Sequence, residues 1–126
     1  NSLGYLQLSD LEKLGINATL FPALQYIHHH IGSKITLTDM ADLVHLSPSY
    51  FSRLFSGEMG ISFSDYVAKT KIEYAKNMLL EYNQTITSVA QKLGFHDVSY
   101  FIKVFRKFEN TTPHEYKNKQ IYRHRA

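Results

Sequence analysis

The sequence has no cysteine, only three prolines and six glycines, and no apolar run long enough to cross a membrane. Each absence removes a class. Without thiols there is no disulfide scaffold, no thiolate zinc site and no cysteine nucleophile, and the composition suits a cytoplasmic, reducing setting. No membrane-spanning segment and no secretory signal are visible. At 126 residues the chain is too short for a barrel or a doubly wound nucleotide-binding fold of ordinary size, so one compact domain or two very small ones are expected. The first residue is Asn1 rather than methionine, which reads as a piece of a longer protein. What is present is a globular composition, 44% hydrophobic and 20% charged.

The net charge of +3 is unevenly spread. Residues 103–126 hold seven basic side chains against Glu109 and Glu115, a surplus of five, while residues 1–102 hold seven basic against nine acidic. A cationic end is either a solvated tail or an electrostatic footprint, and the structure carrying it decides which.

Scarce glycine and proline, together with apolar residues at helical spacing, predict an all-α fold. Leu8 to Leu14 reads as a short linker helix or a remnant of an upstream domain, with Ser9 and Glu12 at capping-box spacing and Gly15 as its stop. A helix from about Pro22 buries Leu24, Ile27 and Ile31 and stops at Gly32. The next opens at Thr36 or Thr38 and buries Leu37, Met40, Ala41 and Val44. One from Pro48 to Ser56 buries Phe51, Leu54 and Phe55, with Gly57 and Gly60 ending it. A long helix over roughly Phe63 to Glu81 offers Val67, Ala75, Met78 and Leu79 to the core, and Asn83-Gln84 breaks the pattern.

The chain also repeats itself. Thr36-Leu37-Thr38-Asp39-Met40-Ala41 matches Thr85-Ile86-Thr87-Ser88-Val89-Ala90 at an offset of 49, and Ser49-Tyr50-Phe51 matches Ser99-Tyr100-Phe101 at an offset of 50. Phe55 pairs with Phe105 and Tyr66 with Tyr116 at the same offset. Thr112, Pro113 and Glu115 form a capping box that starts a further helix. Each repeat is a short helix with a small Ala inward, a tight turn, and a second helix with two buried aromatics. A small residue at the crossing allows steep, close packing, as a helix-turn-helix requires.

With the aromatics inward, the second helix of repeat one turns Ser49, Ser52, Arg53 and Ser56 outward. Repeat two buries Phe101, Val104, Phe105 and Phe108 and turns out Val98, Ser99, Ile102, Lys103 and Arg106. Neither face carries a carboxylate at its middle. A helix that enters the major groove needs short side chains for close approach and a few long donors for guanine or phosphate. Val98 and Ile102 suit thymine methyl groups or packing against neighbouring loops.

These residues resemble the DNA-binding domain of the AraC/XylS transcription regulators. The resemblance covers about Phe21 to Lys117. It rests on Gly94-Phe95, Asp97, Ser99-Tyr100-Phe101, Val104-Phe105-Arg106-Lys107, Thr112-Pro113 and Tyr116, together with the first repeat. The run from Leu46 to Phe55 looks most like the branch fused to response-regulator receivers.

The resemblance implies about seven helices arranged as two helix-turn-helix subdomains, 21–62 and 83–126. A central helix, 63–82, joins them, and the second subdomain ends in a basic tail; residues 1–20, ahead of the resemblance, read as a linker or a remnant of an upstream domain. It implies double-stranded DNA as partner, with recognition helices in successive major grooves about 34 Å apart. RNA polymerase and an absent upstream sensory or receiver domain are further implied partners, and activation is the commoner outcome. By carry-over, base contacts fall on Ser49, Ser52 and Arg53 and on Val98, Ser99 and Lys103. Phosphate contacts fall on Arg106, Lys107 and Thr112, the last through a helix N-terminus. Pro48, Ser56 and Ile102 are further DNA-facing candidates.

Two departures stand out. Ser56-Gly57 occupies the place of a frequent basic pair, and Asn110 that of a common Gly. Arg53 is the sole basic residue of 36–66, which leaves most of the electrostatic grip to the second subdomain.

Catalysis is not expected. His28, His29 and His30 are consecutive, so on a helix they fan out over about 200° and cannot converge on one metal ion. His45, His96, His114 and His124 lack paired ligand spacing. No nucleophile triad or phosphate loop stands out, and no cofactor is called for. The rival function is a helical protein-interaction module that does not bind DNA.

Overall fold

The structure, a computed structural model, describes residues 7–81 and 83–125. Among these residues it is all α, with eight α-helices, one 3-10 turn and no strand. The chain divides into two compact units, Asn1–Ala68 and Lys69–Ala126, with the boundary inside a long helix. The seven helices from Phe21 onward answer to the count the resemblance implies.

The first unit holds α1 (Leu8–Lys13), the 3-10 turn (Ala18–Leu20), α2 (Phe21–His29), α3 (Leu37–Leu43), α4 (Pro48–Met59) and the start of α5 (Phe63–Leu79). α1 is more than a linker, because Leu11 is buried in the same core as Leu24, Ile27, Met40, Phe51 and Phe55. The Ser9/Glu12 capping box does not form. Gln7 is the cap and makes no side-chain bond, whereas Gly15 does end the segment, at φ +74°. α2 stops at His29 with His30 as its cap, so Gly32 is not the terminator.

Thr36 caps α3, its hydroxyl accepting the Asp39 N–H at 3.1 Å. Ser47 caps α4 in the same way through the Tyr50 N–H at 3.2 Å. α4 runs through Gly57, contrary to the sequence expectation, and ends only at Gly60, φ +73°. A left-handed residue terminates a helix, and Gly57 does not adopt that conformation.

The second unit holds the rest of α5, α6 (Ile86–Lys92), α7 (Val98–Glu109) and α8 (Pro113–Arg125). α5 ends at Leu79, two residues before Glu81. Its buried residues include Ile72, Ala75 and Leu79, while Met78 is only half-buried.

The repeat is written in the hydrogen bonds. Thr85 caps α6 through the Ser88 N–H at 3.0 Å, as Thr36 caps α3. The turn that follows is closed by Leu46 N–H to the Ala41 carbonyl, 2.9 Å, in one unit, and by Phe95 N–H to the Ala90 carbonyl, 3.0 Å, in the other. These are helix-ending bonds around a left-handed residue, His45 in the first turn and Gly94 in the second. His96 is the extra residue that changes the offset from 49 to 50.

Ring packing repeats too. Phe51–Phe55 and Phe55–Tyr66 centroids lie 5.8 and 5.3 Å apart, and Phe101–Phe105 and Phe105–Tyr116 centroids 6.0 and 5.7 Å apart. Tilted and edge-on rings at these distances add to the burial of their area.

One polar contact in the first unit gives a pH dependence. His28 Nε2 and the Tyr66 hydroxyl share a hydrogen bond of 2.9 Å between α2 and α5. Burial, with the nearby His29, lowers the His28 pKa below its ordinary 6.5. The folded state therefore binds fewer protons at this site than the unfolded chain. The contribution is full above about pH 6.5 and is lost as pH falls through the folded value. Thermal melts at pH 7.5 and 5.5 are expected to show a larger loss of Tm for the parent than for His28→Gln. Equal losses would mean that His28 does not carry this dependence.

Candidate nucleic-acid interface

α4 and α7 each follow the turn of their helix-turn-helix, and each buries two phenylalanines, Phe51 and Phe55 or Phe101 and Phe105, and shows the opposite face to solvent. On α4, Pro48, Ser49, Arg53 and Ser56 are exposed and Ser52 is half-buried. On α7, Ser99, Lys103, Arg106 and Lys107 are exposed, and Val98 and Ile102 are half-buried. α7 is capped by Asp97, whose carboxylate accepts the Ser99 N–H at 2.8 Å. It ends at Asn110 in the left-handed conformation, φ +60°, which asparagine tolerates. Asn110 in place of glycine therefore leaves the geometry intact.

Sequence reasoning passed over two tyrosines. Tyr50 and Tyr100 stand at equivalent positions in the first turn of α4 and α7, and are 48% and 58% exposed. The Arg53 guanidinium lies over the Tyr50 ring, 5.9 Å from its centroid, and the Tyr100 ring lies 6.1 Å from that of Phe95. Their recurrence in both repeats was the available signal.

The two units differ in charge. Up to Ala68 there are three basic side chains against six acidic, a net −3; from Lys69 there are eleven against five, a net +6. Not all of that surplus faces outward. Lys71 Nζ donates to the Leu93 carbonyl at the end of α6, 2.7 Å, and burial lowers its pKa to about 8. Lys76 bridges Glu73 and Glu109 at 3.1 and 3.2 Å, joining α5 to the end of α7. Lys117 donates to the Gln84 carbonyl ahead of α6. These three lysines hold the unit together, whereas Lys103, Arg106 and Lys107 are exposed along α7.

The start of α8 forms the capping box read from the sequence. Thr112 N–H donates to Glu115 Oε1 and Glu115 N–H to Thr112 Oγ1, both at 3.1 Å. The backbone bond from Thr112 holds the Glu115 carboxyl below the usual carboxylate range. The Thr112 amide is therefore already engaged, and its hydroxyl bonds to Glu115 as well.

Val98, Ile102 and Thr112 line one open groove with Ile86, Thr87, Pro113 and His114. Among the described residues, no cluster of three or more metal-ligating side chains stands close enough to hold an ion, and no helix is long and apolar enough to cross a membrane.

Comparison with known proteins gives concordant matches. The helix-turn-helix domain family matches residues 40–119. The HTH-type transcriptional regulator YobQ of Bacillus subtilis is 36% identical over 118 residues, 94% of this chain and 48% of that protein. The chain thus spans about half the length of this relative, and 31% of the regulatory protein PocR of Salmonella typhimurium. The C-terminal domain of AraT, a response regulator from Geobacillus stearothermophilus, superposes with a TM-score of 0.78 at 30% identity, covering 82% of this chain and 87% of that one. The DNA-binding domain of AdpA, solved with a target DNA, shares the fold at a TM-score of 0.80 and 18% identity, covering 85% and 96%.

Proposed function

The chain belongs to the AraC family of helix-turn-helix domains, a family of transcription regulators and not of enzymes, and from that premise we propose that it binds double-stranded DNA sequence-specifically, with α4 and α7 as recognition helices. The observation that carries this reading is the duplication itself. Two capped helices stand behind equivalent turns, and neither has a carboxylate amid its exposed face.

On α4, Ser49 and Ser52 are short enough to let the backbone approach base edges, and Arg53 reaches guanine. Pro48 and Ser56 flank them. On α7, Val98, Ser99, Lys103 and Ile102 face bases, and Arg106 and Lys107, with Thr112 at the start of α8, face phosphates. The two helices occupy successive major grooves, so the site is an asymmetric pair of elements about one helical turn apart. The whole protein acts in the cytoplasm as an activator in contact with RNA polymerase. An upstream sensory or receiver domain governs it.

The test is selection of bound duplexes from a random library, followed by affinity measurements across salt. The expected result is an enriched two-part site with spacing near 10 base pairs. Behind it lies micromolar nonspecific binding that weakens steeply with salt. An unenriched library, with no salt-sensitive duplex binding at low ionic strength, would instead favour the protein-interaction module.

A further inference from the structure

We infer that the second recognition helix carries a subsite for the 5-methyl edge of thymine, formed by Val98 and Ile102 together with the starts of α6 and α8; this rests on the DNA-binding reading above. Four of the groove's lining residues are apolar: Ile86 from α6, Val98 and Ile102 from α7, and Pro113 from α8. Val98 and Ile102 are four apart, so they form one stripe along α7, and Ser99 and Lys103 form the adjoining stripe. A base edge that meets Ser99 or Lys103 therefore lies beside the apolar stripe. Lys103 and Arg106 flank it with positive charge, which suits a polyanion.

The chemistry narrows the occupant. In the major groove every base edge presents donors or acceptors, and thymine alone adds a methyl group. Thr87, Thr112 and His114 complete the groove, but its aliphatic part, Val98 and Ile102 on α7, has nothing to offer guanine or phosphate. The Thr112 amide at its rim is already bonded to Glu115. The first repeat supplies an internal contrast. At the positions matching Val98 and Ile102 it has Pro48 and Ser52, so α4 lacks the aliphatic pair. Methyl dependence should then be confined to one half of the DNA site.

The experiment uses the duplex selected as above and replaces each thymine in turn by deoxyuridine, which removes the methyl and leaves base pairing intact. One or two thymines, all within the half-site read by α7, are expected to show weakening of about fourfold each, the worth of one methyl-sized group removed from water. With Ile102→Ser those same positions should become indifferent to the substitution. A selected duplex in which no thymine is sensitive overturns the subsite and leaves the DNA-binding reading standing. That is also the result expected if the groove receives a protein side chain. Sensitivity that survives unchanged in Ile102→Ser overturns the assignment of these residues. Failure to select any duplex overturns the DNA-binding reading and the subsite with it.

Discussion

Phe105→Ala is expected to unfold the second unit and to abolish specific DNA binding in the same step. Phe105 is fully buried, on the inner face of α7, between the rings of Phe101 and Tyr116. Truncating a buried phenylalanine costs about 3–5 kcal/mol through lost transfer energy and the cavity left behind. A unit this small buries a modest core, and total stability of a domain is only about 5–15 kcal/mol, so the loss takes most of what is available. α7 owes its outward face to the inward anchoring of Phe101, Val104 and Phe105. When that anchoring fails, Lys103 and Arg106 are no longer presented on a rigid helix.

Amide hydrogen exchange is the discriminating measurement. Protection should collapse across α6, α7 and α8 while α2, α3 and α4 keep theirs, because the first unit has its own aromatic cluster of Phe51, Phe55, Phe63 and Tyr66. Phe55→Ala should produce the converse pattern. If Phe105→Ala left protection in α7 intact, or melted both units together, the division into separately packed cores would be wrong.

Much of this architecture was legible because duplication doubles every local signal. Thr36 and Thr85 are each weak as capping residues alone. Together, with Ala41 and Ala90 at the same distance behind them, they mark the same element twice, and both caps form. The aromatic pairs were legible for the same reason.

The misreadings have local causes. Gly57 and Gly60 look alike in sequence, but only the second takes a positive φ, and helix termination depends on that backbone state more than on composition. The first turn reverses at His45, a histidine in the left-handed conformation, and only alignment with Gly94 hints at it. Ser9 and Glu12 had capping-box spacing, yet the helix begins ahead of both, so the motif falls inside the element.

The interface was harder to read than the fold. Lysine count is a poor guide when Lys71, Lys76 and Lys117 spend their charge on carbonyls and carboxylates of their own unit. Helical spacing flags only Glu73–Lys76, three apart on α5; Glu109 and the Leu93 and Gln84 carbonyls lie far along the chain from the lysines they engage, so spacing cannot separate those lysines from Lys103.

The unequal charge of the two units leads to the second large effect, the salt dependence of binding. Arg53 is the one basic side chain on α4, and Asp39, Asp42, Glu58 and Asp65 belong to the same unit. α7 carries Lys103, Arg106 and Lys107. The affinity from counterion release is thus expected to come mainly from the second unit, with Arg53 supplying base discrimination. Each phosphate contact removed should reduce the slope of log K against log salt by roughly 0.9. Arg106→Ala combined with Lys107→Ala should lower that slope by about 2 and weaken binding at low salt by about tenfold or more, as two charge-assisted bonds are lost. Arg53→Ala should also cost about tenfold on the preferred site, within the 1–3 kcal/mol of a bidentate base contact, and relax selection at one base position. Its slope should move far less than that of the double variant. The comparison is made by titrating parent and variants against the selected duplex from 50 to 300 mM salt. A slope unchanged in Lys107→Ala alone, or a larger slope change in Arg53→Ala than in the double variant, would place the electrostatic grip in the first unit and refute the division of labour argued from these charges.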